Sequence, residues 1–451
     1  MQSNKLNVLI YPMLSVHNIN ADSNYIIIKQ ICNELVKTNK YNFILLLDSK
    51  RPYVQGDLDK KVKILKIPFP QSKKHQVVYF NPNILDKIFK QYPIDIIWNN
   101  VVEQGHHFKY FQDIMIDHFR PKVFNYHHYI IHRSLDKITY YNPCKHIMLD
   151  QIMGSLLVDY NYFHTEYCYN MMMEEASDIL NKTQLKKLKE ISHINLGGYS
   201  KEIKTKEKYK IFTFIYNHRL SGYKRWKTTF EIFDKLYSEG YKFQVIFTAG
   251  DRGNLSTLEK KPYVVIKSLR RHSDYIEELS KCHANMINSI HETYCISIAE
   301  SIMNNQIIIA PNRCTFPELL DKSYPYLFDD ELEQEKKIKY ILDNKVLEYK
   351  HKGKDKLLLT THAKWIDNQF QNLKPSTEKD LIFNRIKKEK SKKAIKNYLD
   401  NINIVDMKSF RTFVYSLGYA SQSFPIQKLQ MLLKEFGFVF NITYDKYEKK
   451  I

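Results

Sequence analysis

The sequence predicts an α/β protein made of two doubly wound domains facing each other across a cleft, with a small helical appendage at the C-terminus. Three observations predict it. Short runs of β-branched and aromatic residues alternate with helical apolar spacing through the first 200 residues. After a polar, Lys-rich break, Ser200-Lys-Glu-Ile-Lys-Thr-Lys-Glu-Lys208, the alternation starts again. A second boundary, Lys374-Pro375-Ser376, precedes a stretch of helical patterns. A chain of 451 residues exceeds one ordinary core and fits two domains plus an addition. The expected domains are 1–203, 204–373 and 376–451, the first two Rossmann-like.

The elements follow in order. Asn7–Tyr11 reads as a strand, residues 22–37 as a helix from the spacing of Tyr25, Ile28, Ile31 and Leu35, and Asn42–Leu47 as a strand. Further strands are expected at Val62–Ile67, Ile94–Trp98, Lys122–Tyr126 and Tyr160–His164, with helices near 83–91 and 105–119. Such a β-α-β rhythm implies a parallel sheet covered on both faces. In the second half, strands are expected at Ile211–Tyr216, Phe243–Thr248, Val264–Lys267, Ala284–Ile290 and Ile307–Ala310. Helices at 225–237 and 273–281 lie between them, and a helix bearing Glu300 precedes the last strand. An amphipathic region, 331–372, would close the second domain and cross back to the first. Residues 376–451 read as helices at 378–399, 406–417 and 426–436, then a strand at Phe438–Tyr444. That outline matches a winged-helix or helix-turn-helix module, with Pro425 opening the third helix; oligomerisation appendages share it.

Hydrophobic residues at 43% and charged residues at 26% fit a globular protein, not a disordered one. Glycine is scarce, at 12, which argues against Gly-rich phosphate loops. The net charge of +20 is uneven: residues 351–451 carry twenty Lys and Arg against ten Asp and Glu, half the excess in under a quarter of the chain. A basic tail suits a polyanionic partner, and equally a solvated Lys-rich surface. The six cysteines form no C-x-x-C pair and read as reduced thiols. No apolar run approaches a membrane span or a signal h-region, so a cytoplasmic protein is expected.

Chemistry concentrates in His291-Glu-Thr-Tyr-Cys-Ile-Ser-Ile-Ala-Glu300. Eight positions are a little over two helical turns, so Glu300 falls inside a helix opened just after Glu292. Glu292 then stands in a loop at a strand's carboxyl end, where open α/β sheets bind ligands. The backbone N–H groups of Tyr294, Cys295 and Ile296 would offer a phosphate the start of that helix. A second segment, Asn217-His-Arg-Leu-Ser-Gly-Tyr-Lys-Arg-Trp226, brings Arg219 and Lys224 to another strand-to-helix junction.

These two segments resemble the E-x7-E and R-x4-K motifs of retaining glycosyltransferases of GT-B architecture. The likeness is greatest to the branch of the tRNA-queuosine mannosyltransferases, with Pro311-Asn-Arg-Cys-Thr-Phe-Pro-Glu318 as a further shared segment. It covers residues 210–320 by motif and 1–200 by pattern. The resemblance implies that Arg219 and Lys224 grip the donor diphosphate and that Glu300 accepts from the donor ribose. It further implies that the amide of Ser297 joins those of Tyr294, Cys295 and Ile296 on phosphate and sugar, that Glu292 contacts the transferred sugar and that His127 or His128 faces it. It implies a UDP-sugar or GDP-sugar donor, no cofactor, no metal and retention of configuration. The usual Gly-rich turn after the first strand is replaced by Pro12-Met-Leu-Ser-Val-His-Asn18, and the appendage from 376 departs from the branch. Asp57-Leu-Asp59 has the spacing of a metal-binding D-x-D, but in the wrong domain, and reads as chance.

The basic tail, the module outline and the branch favour a nucleic-acid acceptor. DNA carrying hydroxymethylated pyrimidines, as in bacteriophages, stands ahead of tRNA carrying queuosine. Polysaccharide or cell-surface glycan is the alternative among enzymes, and a catalytically degenerate nucleic-acid-binding protein the alternative outside them.

Overall fold

The computed structural model describes residues 5–14, 19, 22–50, 58–70, 73–115, 119–133, 141–198, 206–248, 255–269, 271–373, 376–377, 389–416, 429–430, 433–434, 437–441 and 446–449. The chain divides into two compact units, one of residues 1–109 with 122–373, the other of 110–121 with 374–451.

The larger unit holds two sheets. Its first lobe runs β1 (Leu6–Tyr11), α1 (Ser23–Leu35), β2 (Tyr41–Asp48), β3 (Lys63–Ile67), α2 (Lys73–Gln76), α3 (Pro82–Gln91), β4 (Ile96–Asn99) and α4 (Gly105–Met115), the last of which is divided between the units at Tyr110. After β5 (Phe119–Arg120), which belongs to the other unit, come β6 (Lys122–His127), α5 (Tyr141–Leu156), β7 (Tyr160–Phe163), α6 (Glu166–Ser177), α7 (Lys182–Glu190) and β8 (Ser192–Ile194). Strand order is β3-β2-β1-β4-β6-β7-β8, all parallel. The second lobe runs β9 (Thr213–Tyr216), α8 (Trp226–Ser238), β10 (Gln244–Phe247), α9 (Leu255–Glu259), β11 (Val264–Ile266), α10 (His272–Lys281) and β12 (Ala284–Met286). It continues with α11 (Ile296–Met303), β13 (Ile307–Pro311), α12 (Phe316–Leu320), β14 (Leu327–Phe328), α13 (Glu331–Asp343) and α14 (Leu359–Asn372). Its order, β11-β10-β9-β12-β13-β14, is again parallel throughout. In both lobes the order reverses beside the first strand, which opens a crevice at the strands' carboxyl ends.

Apolar burial explains the sheets. Val8, Leu9 and Ile10 are fully buried, as are Ile307, Ile308, Ile309 and Ala310. Strands covered on both faces read as continuous apolar runs. Three of the first-lobe strands carry an asparagine at one level. Asn99 Nδ2 donates to Asn125 Oδ1 at 2.7 Å, and Asn125 Nδ2 to Asn161 Oδ1 at 3.2 Å. Gly154 lets α5 approach closely, since a Cβ there would lie 2.0 Å from the Val102 carbonyl oxygen.

The expected crossing back is present. On α14, Asp367 Oδ1 accepts from Tyr41 OH at 2.5 Å and Gln369 Oε1 from Tyr160 OH at 2.9 Å, both in the first lobe. Phe370 packs edge-on to Trp98 and Phe124. Gly198, on the outgoing connection, touches the returning one: a Cβ there would stand 2.3 Å from the Leu358 carbonyl oxygen.

Several expected elements differ in length or were not foreseen. The strand expected over 284–290 ends at Met286, because Asn288, Ser289 and the residues beyond form the loop that carries Glu292. β8, β14 and the helix at 141–156 lack a distinct local pattern. The helix expected over 105–119 ends at Met115, and β5 at its far end pairs antiparallel with β15 (Ser376–Thr377). The smaller unit therefore takes in residues 110–121, which the sequence assigned to the first domain.

That unit continues with α15 (Glu389–Asp400), β16 (Ile404–Val405), α16 (Met407–Ser416), β17 (Phe438–Asn441) and β18 (Lys446–Lys449). The strands form an antiparallel sheet in the order β16-β18-β17. Ile395, Leu399, Phe410, Val414, Leu429, Leu433 and Phe438 make a core of their own. The helix expected over 426–436 and Pro425 fall largely outside the described residues. The single strand expected at 438–444 is instead one arm of a hairpin, since Phe440 pairs with Tyr447.

Candidate active site

The two motif segments leave neighbouring strands of the second lobe, β9 and β12, and they are bonded to each other. Ile290 N donates to Tyr223 O at 2.8 Å. This brings Lys224, in a 3-10 turn, against Glu292: its Nζ forms an ion pair with Oε1 of that carboxylate, which also accepts from Ser289 Oγ at 3.1 Å. The side chains are 9% and 16% exposed. Burial works against the Lys224 ammonium, but the Glu292 carboxylate outweighs it and the pKa is raised, so Lys224 is charged at neutral pH. Arg219 is exposed and donates from Nη2 to Tyr223 OH at 2.9 Å.

Glu300 lies on the second turn of α11, buried at 4% exposure. Oε1 meets His272 Nε2 at 2.8 Å and Oε2 accepts from Tyr275 OH at 3.0 Å. Tyr275 in turn accepts from Asn217 Nδ2 at 2.7 Å. Asn217 thus links the Arg219/Lys224 segment to Glu300. Sequence reasoning missed His272 and Tyr275: they begin α10, 28 and 25 positions from Glu300.

The helix start is less regular than expected. α11 begins at Ile296, with Cys295 as its N-cap at φ 70°, ψ 80°, a left-handed conformation that disfavours a side chain. Tyr294 is buried, and its OH donates to Gly197 O on the connection between lobes. Ser297 Oγ lies 3.3 Å from Cys295 Sγ. Ile298 N already donates to Cys295 O at 3.0 Å; the first N–H groups of a helix otherwise lack intrahelical partners.

The structure separates the two histidines that the sequence treated alike. His127 is fully buried: its ring stacks on Phe163 at 4.2 Å, and Nε2 lies 3.2 Å from Asn161 Oδ1 and 3.3 Å from Ser155 Oγ. Burial lowers its pKa to about 4, so the ring is neutral, and its Nε2 closes the asparagine ladder. The carbonyl of His128 meets the Glu292 loop, accepting from Thr293 Oγ1 at 2.9 Å. Two further contacts join the lobes here. Thr165 Oγ1 donates to Thr293 O at 2.9 Å, and the Glu318 carboxylate accepts from the amides of Glu166 and Tyr167 at 2.8 and 3.3 Å.

A cluster of unmet hydrogen bonds marks the same place. Among the described residues, Asn217 Oδ1, His218 Nε2 and Ser221 Oγ are buried without a partner, three atoms within five residues. Buried polar atoms are ordinarily bonded, so such a concentration fits a site completed by a ligand. Asp57 and residues 15–18 lie outside the described residues; Asp59 bonds within its own turn, to the Lys61 amide.

No protein-family model and no curated protein sequence matches the chain. Solved structures do. Sucrose-phosphate synthase from Thermosynechococcus elongatus is 12% identical, with a TM-score of 0.63 over 82% of this chain and 99% of that one. MnaA of S. aureus with UDP is 12% identical, with a TM-score of 0.55 over 82% and 98%. The lipopolysaccharide outer core galactosyltransferase WaaB is 12% identical, with a TM-score of 0.53 over 81% and 98%. The chain has the GT-B fold. Among the described residues, no helix is long and apolar enough to cross a membrane.

Proposed function

We propose that this chain is a retaining glycosyltransferase that moves a sugar from a nucleoside-diphosphate sugar to a nucleic-acid base. The observation that carries the donor half is the junction of Lys224 with Glu292, bounded by Arg219, by the Glu300–His272–Tyr275 network and by the three unmet polar atoms of 217–221. A diphosphate leaving group gains charge as the glycosidic bond breaks. The cations of Arg219 and Lys224 stabilise that charge more in the transition state than before it. Glu292, released from Lys224 by the phosphates, is free to accept from sugar hydroxyls; Glu300 and its two partners suit the ribose. The bond from the anomeric carbon to the phosphate oxygen breaks, and the acceptor oxygen bonds on the same face. The acceptor's proton goes to the departing diphosphate. We assign no metal to this chemistry, the charge being met by side chains. The UDP seen with the similar MnaA structure agrees with a uridine nucleotide, and GDP is the alternative.

For the acceptor, the supporting observation is the separate basic unit. Its helix, strand, helix and terminal hairpin, with β18 between β16 and β17, follow the winged-helix order. α15 buries Ile395 and Leu399 while Lys393 and Lys396 stay exposed. Phosphate neutralisation by such lysines gives salt-dependent binding. The reaction needs an acceptor hydroxyl. Hydroxymethylated pyrimidines in DNA supply one, which we place ahead of queuosine in tRNA. A glycan acceptor is the second reading, favoured by the galactosyltransferase among the similar structures.

The test is incubation with UDP-glucose or GDP-mannose and either hydroxymethylcytosine DNA, unmodified DNA or tRNA, followed by nucleoside mass spectrometry. A hexose on the hydroxymethylated base, lost in Glu300→Ala, is expected. Donor turnover with no nucleoside product, and transfer to a glycan extract instead, would move the acceptor to the second reading. No donor turnover under any condition would remove the enzyme reading.

A further inference from the structure

The resemblance gives His218 no chemical role, yet it stands between Asn217 and Arg219 in the segment with the unmet polar atoms. The ring is 7% exposed and sits edge-on to Tyr216, centroids 5.6 Å apart at 80°. Nε2 is buried with no hydrogen-bond partner among the described residues. Arg219 follows in the chain, and Lys224 faces it from the next turn; Glu292 is engaged by Lys224, and Tyr223 by Arg219. Tyr216, from the strand beneath, presents its ring. Burial, then Lys224 and Arg219, drive the imidazole's pKa well below its ordinary 6.5, so it is neutral in the free protein.

A diphosphate reverses that environment. It brings negative charge against Arg219 and Lys224, cancels their field at the ring, and supplies the oxygen acceptors that an imidazolium needs. Resting on the donor site argued above, we propose that His218 is a third diphosphate ligand, neutral in the free protein, that takes up one proton from solvent as a nucleotide sugar binds. The added cation then exists only while a diphosphate is present. It donates to a phosphate oxygen as that group departs, and the proton returns to solvent when the nucleotide leaves.

Calorimetric titration of the full chain with UDP-glucose and GDP-mannose, in buffers of widely different ionisation enthalpy, tests this. The diphosphate diester of these ligands has no group titrating near neutrality, so proton uptake belongs to the protein. At pH 7.5 the observed enthalpy should vary with buffer enthalpy at a slope approaching one proton taken up. The bound state holds the extra proton, so affinity should fall as pH rises through neutrality, by at most tenfold per pH unit. In His218→Asn and His218→Gln the slope should drop to near zero and affinity should fall about tenfold, with melting temperature showing that the variants fold. Binding by the wild-type chain with no buffer dependence overturns the proposal and leaves the donor site standing, as does an unchanged slope in folded variants. Absence of binding to both nucleotide sugars overturns the donor site and this inference together.

Discussion

Replacing Lys224 by Met removes the cation from a desolvated ion pair at the centre of the site. Its side chain and that of Glu292 are 9% and 16% exposed, so solvent screens them little. Two unit charges about 4 Å apart attract by about 4 kcal/mol at an effective dielectric of about 20. Desolvation takes back part of this, leaving a coupling of about 2 kcal/mol. Lys224→Met alone should therefore destabilise the larger unit by about 3 kcal/mol, because Glu292 keeps its charge with Ser289 as its remaining partner among the described residues. Glu292→Gln alone should cost a similar amount. The double variant should regain about 2 kcal/mol relative to the sum of the singles, since neither leaves an unpaired charge. Donor turnover should not recover, falling about 100-fold or more in every variant that lacks the Lys224 ammonium. Urea unfolding of the four proteins and initial rates of donor consumption measure both quantities. Additive stability losses would show that no coupled pair exists, and near-normal turnover by Lys224→Met would refute its assignment to the diphosphate.

Three more outcomes are expected. Burial raises Glu103 from 4.5 to about 7, against bonds from Tyr129 and Gln151. The native state then holds a proton that the unfolded chain releases, so stability falls as pH rises from 4.5 to 7, by about 3 kcal/mol in all. Glu103→Gln should abolish that slope in melts at pH 5 and 8; an unaltered slope would exclude Glu103 as its source. Glu318→Ala leaves the amides of Glu166 and Tyr167 without their carboxylate, at a cost of about 1 kcal/mol, and loosens the contact between lobes. Small-angle scattering should show a larger radius of gyration, and an identical curve with an identical melt would count against this contact. Gly198→Ala forces a methyl onto the Leu357 and Leu358 backbone. A loss of about 2 kcal/mol is expected on thermal melting, and a melt matching the parent would mean that the two connections separate freely.

Much of the site was legible because it is written locally. Asn217 to Trp226 and His291 to Glu300 are each continuous, and each follows a recognisable apolar strand. The alternation of patterns likewise carried the fold class, since burial on both faces demands unbroken apolar runs. What stayed hidden depends on partners far apart in the chain. His127 and His128 look equivalent until Asn161, 34 residues on, takes one into the asparagine ladder.

The sequence by itself determined the two-lobed α/β plan, the motif spacing and the basic C-terminal region. These follow from periodicity, composition and charge, properties of neighbouring residues. Only the tertiary structure decided that Lys224 rests on Glu292 and that His272 and Tyr275 hold Glu300. It alone drew residues 110–121 into the smaller unit and made the last residues a hairpin. Such pairings are fixed by how strands order and loops meet in space, and no local pattern encodes that choice.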